Sequence, residues 1–230
     1  MARRIMLNGT SYFGQGAIQE IVNEIKNRHF KKALVTSTPD LFEFKVATKV
    51  TDLLDAAGIA YEVYDGIKPN PTIENVTAGV EACKASGADV IVAVGGGSPI
   101  DTAKAVKILT ANPGPSTAYS GLGKVKNAGV PLVAINTTAG TAAEMTSNAV
   151  IIDSARKVKE VIIDPNIIPD IAVDDASVML DIPASVTAAT GMDALTHAVE
   201  AYVSVGAHPL TDANALEAIR LINLWLPKAV

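Results

Sequence analysis

The sequence has 230 residues, enough for one large domain or for one domain with part of another. Hydrophobic residues make up 49% and the net charge is −5, so a sizeable core can form and no positive field exists to attract nucleic acid or an anionic membrane surface. No apolar run reaches the roughly 18 residues of a transmembrane span, and the basic start at Arg3 and Arg4 leads into no apolar signal core. A cytoplasmic protein is expected. The single cysteine, Cys83, cannot form an internal disulfide, which fits a reducing compartment, and it reads as a small core or half-buried residue.

Strand-like and helix-like segments alternate along most of the chain. Ala17, Ile18, Ile21, Val22 and Ile25 follow helical spacing, and residues 32–37 read as a short buried strand. A helix follows over 44–57, stopped by Gly58. Residues 60–64 read as a strand, and the loop 68–71 is stiffened by its two prolines. Thr72 is placed to cap a helix running to about Ser86. Residues 89–94 form a nearly all-apolar strand of the kind buried on both faces of a parallel sheet. A helix over 99–109, with proline in its first turn, precedes a loop rich in Gly, Pro and Ser. Further strands are expected at 132–135, 150–152, 158–163 and 171–173, then two long helices at 183–204 and 209–229. The alternation predicts an α/β fold: a dinucleotide-binding domain with a mainly parallel sheet over 1–180, followed by the first helices of an all-helical domain over 181–230. Two helices seldom bury enough apolar surface to stand alone, so more helices are expected to follow.

Three patterns carry chemistry. Gly95, Gly96 and Gly97 directly follow the buried strand, and a helix opens at Ser98-Pro99. Without Cβ atoms, backbone N–H groups can approach a pyrophosphate, and the helix N-terminus adds positive dipole. The pattern is not G-x-G-x-x-G, and a tight turn without ligand is the alternative. Asn136-Thr137-Thr138-Ala139-Gly140-Thr141 is a second small-residue turn after a strand, with hydroxyls that suit phosphate or ribose; alone, it would be an ordinary capped turn. Asp193 and His197 stand four residues apart on a predicted helix, so they share a face and can offer a carboxylate and an imidazole to one divalent metal. A solvated surface pair is the alternative, since catalytic sites usually take three or more protein ligands. His29 and His208 read as solvated, and Tyr202 and Trp225 as packing residues.

On four stretches, 65–71, 95–101, 136–141 and 189–197, the sequence resembles the iron-dependent, or group III, alcohol dehydrogenases over essentially its whole length. The resemblance implies NAD, with NADP an alternative, held by Gly96, Gly97 and Ser98 with Asp101 nearby, and by Thr137, Thr138 and Thr141. Asn70, Asn148 and Lys159 match further cofactor positions. It implies a divalent iron, or zinc, with Asp193 and His197 as its first two ligands, and two further histidine ligands that this sequence does not contain. It also implies a homodimer that interconverts a small alcohol and its aldehyde by metal-assisted hydride transfer, weakly or not at all in a chain lacking those ligands. Relatives carry an acid where Thr38 stands, and that acid would favour NAD by repelling a 2′-phosphate; with Thr38 the choice is less strict. No residue is assigned as a catalytic acid or base. The rival reading is a non-catalytic nucleotide-binding or interaction module that has lost the metal site.

Overall fold

A computed structural model describes residues 4–230. Nine strands and seven α-helices are defined within them: β1 (Thr10–Phe13), α1 (Glu20–Asn27), β2 (Lys32–Thr36), α2 (Pro39–Glu43), α3 (Val46–Ala56), β3 (Ala60–Tyr64), α4 (Ile73–Ser86), β4 (Val90–Gly95), α5 (Gly97–Leu109), β5 (Gly121–Leu122), β6 (Leu132–Asn136), β7 (Asn148–Asp153), β8 (Val158–Ile163), β9 (Ile171–Asp174), α6 (Ala184–Val203) and α7 (Pro209–Ala229). They form two compact units. One runs to Thr137 and includes Ala143–Val178; the other is Thr138–Ala142 with Met179–Val230.

The larger unit holds a six-stranded sheet in the order β1-β9-β6-β4-β2-β3, with every pairing parallel. Its central strands are the most apolar. Every residue of β4 and β6 is buried, as expected where helices cover both faces. Ile100, Ala103, Val106 and Ile108 of α5 join Leu34, Ile91 and Leu132 in one core cluster. Local signals set the element ends. Thr72 and Asn75 form a reciprocal capping box at the start of α4, and Gly87, at φ 65°, ends the helix in the left-handed region. Cys83 is buried in the same helix.

Several elements differ from the sequence reading. The helix expected over 44–57 is α3, and an additional short helix, α2, precedes it, the two separated by Phe44 and by Lys45 at φ 58°. β1 is an additional edge strand, too short and too near Gly9 and Gly14 for its alternation to stand out. β7 and β8 do not enter the parallel sheet. They form an antiparallel hairpin in a separate three-stranded sheet with β5. A four-residue turn, 154–157, with Lys157 at φ 55° makes that reversal possible, whereas strands of a parallel sheet need long crossovers.

The smaller unit is a helical hairpin. α6 and α7 approach closely at Gly191, where a Cβ would lie 2.3 Å from Cδ1 of Leu226. Pro209 opens α7, and His208 at its N-cap donates its backbone N–H to Thr211 Oγ1 at 2.9 Å. Tyr202 and Trp225, expected to pack, are 46% and 56% exposed, and Lys228 lies over the Trp225 ring.

Candidate functional site

The strand order places the site. From β2 the chain moves outward to β3, then returns to add β4, β6 and β9 on the other side of β2. The direction reverses between β2 and β4, and in open α/β sheets ligands bind outside the C-terminal strand ends at that switch point. Here those ends are Thr36–Thr38 and Gly95–Ser98. Ser37 Oγ donates to the Val94 carbonyl at 2.8 Å and stitches the two together.

The glycine turn is built for close approach. Gly95 has φ 149°, and a Cβ there would lie 2.4 Å from Cγ of Pro99, so only glycine fits. Gly96 is the N-cap of α5, and no side chain caps the helix. Pro99 supplies no N–H, which leaves the Gly97 and Ser98 amides as the first-turn donors for an anion. Gly96, Gly97 and Ser98 are all part-exposed. Ser98 Oγ accepts the N–H of Asn70, which sits in the left-handed region at φ 58°, so the loop after β3 and the start of α5 are joined. Thr38, part-exposed, is the N-cap residue of α2 just beyond β2.

The other candidate residues fall in different settings. Thr137 is buried, and its N–H donates to the Gly95 carbonyl at 3.1 Å. Asn148 and Lys159 lie on the β7–β8 hairpin, at its first residue and opposite Ile152 respectively, and both are exposed. Ile152 donates its N–H to the Pro71 carbonyl at 2.8 Å, which draws the hairpin to the Asn70 loop. Asp101 is engaged by protein groups: its Oδ2 accepts the Val150 N–H at 2.9 Å, and its Oδ1 lies 3.6 Å from Lys104 Nζ.

Sequence reasoning missed a buried charged group beside this edge. Lys104 is wholly buried, and burial lowers its pKa to about 8 against the pull of Asp101 and Glu144. Glu144 is 3% exposed, and burial, with the like charge of Asp174, raises its pKa to about 7. Asp174, at the end of β9, is itself raised by burial although Asn136 hydrogen-bonds it. The available signal was charge at α5 positions on a helix otherwise apolar all round.

In the smaller unit, Asp193 Oδ2 and His197 Nδ1 are 3.8 Å apart on one face of α6, each side chain nearly half exposed. The Thr138–Ala142 loop lies against them: a Cβ on Gly140 would come within 3.1 Å of Thr190 Cβ and 3.6 Å of Asp193 Oδ2. Thr141 is exposed and Thr138 part-exposed. An open cavity of about 450 Å³ is lined by Gly140, Thr141, His197 and Asn214 among small residues of α6 and α7. Among the described residues, no three His, Cys, Asp or Glu side chains come together in a metal-binding group. Two donors do not fit a resident divalent ion, which needs three or four.

Strand order and switch point define an open α/β unit with a mainly parallel sheet and an uncapped glycine turn at its carboxyl edge. The chain belongs to the iron-containing alcohol dehydrogenase family, whose model matches residues 8–176, while that for the family's C-terminal part matches 187–230. It is 47% identical over 224 residues to lactaldehyde reductase of Escherichia coli K12, covering 96% of this chain and 59% of that protein. Its fold matches the crystal structure of a 1,3-propanediol oxidoreductase with a TM-score of 0.97 at 40% identity, over 100% of this chain and 60% of the other. It also matches sulfoacetaldehyde reductase from Bifidobacterium kashiwanohense in complex with NAD+, with a TM-score of 0.92 at 29% identity, over 100% and 61% of the two chains. The chain thus spans about three-fifths of the length of these relatives.

Proposed function

We propose that this chain is the cofactor-binding part of a dinucleotide-dependent oxidoreductase that interconverts small alcohols and aldehydes. The observation that carries this reading is the uncapped N-terminus of α5, opened by Gly96 and Gly97 at the switch point of the sheet. The amides of Gly97 and Ser98 bind the pyrophosphate, and Asn70 supports Ser98 from the neighbouring loop. Thr38, at the end of β2, faces the adenosine ribose; a threonine neither attracts the ribose hydroxyls as strongly as a carboxylate nor repels a 2′-phosphate. NAD is therefore preferred over NADP by a small margin, read as the ratio of NADH to NADPH affinities. Thr137, Thr138, Thr141, Asn148 and Lys159 complete the cofactor side, while Asp101 acts from beneath it. The 1,3-propanediol oxidoreductase and lactaldehyde reductase relatives point to a small diol, or a hydroxyaldehyde such as lactaldehyde, as substrate. A homodimer in the cytoplasm completes the reading; no described helix is long and apolar enough to cross a membrane.

Asp193 and His197 are proposed as metal-facing residues, but their donor set is too small to hold an ion, and no chemical step is assigned through one. The expected behaviour of the 230-residue chain is therefore cofactor binding with little turnover, which is also where a purely nucleotide-binding role would leave it. The test is metal analysis after incubation with Fe2+ or Zn2+ and desalting, alongside NADH-dependent reduction of lactaldehyde. Well under one equivalent of metal per chain and negligible turnover are expected. A stoichiometric, tightly bound ion with rapid turnover would overturn the assignment of a two-donor site.

A further inference from the structure

A lysine with no exposed surface is costly unless its ammonium is paired and hydrogen-bonded, and a well-packed apolar side chain of similar volume is often as stable or more so. Lys104 is such a lysine, and its three contacts are unusually directed. Nζ donates to Thr146 Oγ1 and to the Asn148 carbonyl, each at 2.8 Å, and lies 3.6 Å from Asp101 Oδ1. Asp101 in turn accepts the Val150 N–H.

These contacts share one edge of β7. In a strand, the carbonyl of one residue and the amide two residues on point to the same side. The Asn148 carbonyl and the Val150 and Ile152 amides therefore form one edge, the one turned away from β8. Lys104 satisfies the first, Asp101 the second and the Pro71 carbonyl the third. The lysine and the aspartate supply the donor and acceptor that a neighbouring strand would otherwise offer, and so close an exposed edge. On α5, Gly97, Asp101 and Lys104 follow the i, i+4, i+7 spacing of a single helix face. The face that carries the cradle glycine at its top thus carries the β7 clamp two turns below.

We infer that Lys104 is a positioning residue for the dinucleotide site: with Asp101 it locks the β7 edge, and so Asn148, to the helix whose N-terminus forms the cradle. This rests on the cofactor reading given above. The clamp depends on the ammonium. The charged groups facing Lys104 are Asp101 and Lys107 on its own helix and Glu144 from the segment before β7. Once Lys104 loses its proton, near pH 8, Asp101 keeps its charge without a counterion and the clamp weakens.

The test compares the 230-residue chain with Lys104→Met and Asp101→Asn by NADH fluorescence titration across about pH 7 to 9.5, with circular dichroism to establish folding. The parent is expected to lose NADH affinity as pH rises through about 8. Lys104→Met is expected to fold, to bind NADH about tenfold more weakly at pH 7, and to show a flat profile. Should Lys104→Met fail to fold, Asp101→Asn keeps the acceptor for Val150 while removing the ion pair, and a flattened profile is expected there as well. A parent that binds NADH, with folded variants of equal affinity and unchanged pH profile, would overturn the inference and leave the cofactor reading standing. A parent that binds no NADH would overturn both.

Discussion

Glu144 shows how far one side chain can depart from its ordinary chemistry. Its Oε2 is buried without a hydrogen-bond partner, while Asn8 Nδ2 is bonded to its backbone carbonyl at 2.7 Å. Burial chiefly, and Asp174 next, raise its pKa to about 7, while Lys104 pulls more weakly the other way. A carboxyl whose pKa is higher folded than unfolded binds more protons in the folded state between the two values, so folding stability falls as pH rises through that window. The penalty is complete above about pH 7 and absent below the ordinary glutamate range. Glu144→Gln keeps the shape and removes the charge. It is expected to raise stability at pH 8 by up to about 3 kcal/mol, with the gain vanishing near pH 4. Urea denaturation at both pH values checks this; a variant less stable than the parent at pH 8 would show that the carboxylate is paired after all.

Among the elements, α5 organises the larger unit. Its first turn is the proposed cradle, its core residues fill the space over the sheet, and Lys104 and Lys107 tie down distant backbone. Lys107 Nζ donates to the Ile168 carbonyl at 2.9 Å and pairs with Asp170 at 2.8 Å. The β4–α5 turn tolerates no side chain at Gly95, where a positive φ and the Pro99 ring exclude a Cβ together. Gly95→Ala is therefore expected to cost about 2–4 kcal/mol, read as a lowered urea midpoint with unchanged slope. A change within about 0.5 kcal/mol would mean that the turn relaxes freely.

Much of this was legible in the sequence. The apolar run of β4 and the glycines after it define strand, turn and helix by composition alone, and Thr72 marks the start of α4 as its cap. Asp193 and His197 share a face because their spacing dictates it. The hairpin β7–β8 was not legible as a separate sheet, because strand direction is set by pairing partners and not by hydrophobic pattern. Nor was the role of Lys104, since a lysine on a helix normally reaches solvent, and only the packing of β7 across α5 buries it.

The whole chain divides into two units of unequal self-sufficiency. The larger has a continuous core beneath a six-stranded sheet. The smaller buries few helical positions, namely Gly191, Ala198 and Ala215, and leaves Met192, Val203, Leu210, Leu216 and Trp225 exposed. The residues proposed for the cofactor lie mainly in the first unit and the two proposed metal-facing residues in the second, so the proposal predicts that dinucleotide binding can be measured apart from catalysis. NADH titration of the 230-residue protein against Gly97→Val tests this most directly, because a valine side chain would stand at the start of α5, where the pyrophosphate is proposed to bind. The parent is expected to bind one NADH per chain without added metal, and the variant to bind at least about tenfold more weakly while remaining folded. Equal affinity in parent and variant would contradict a cofactor site at the start of α5.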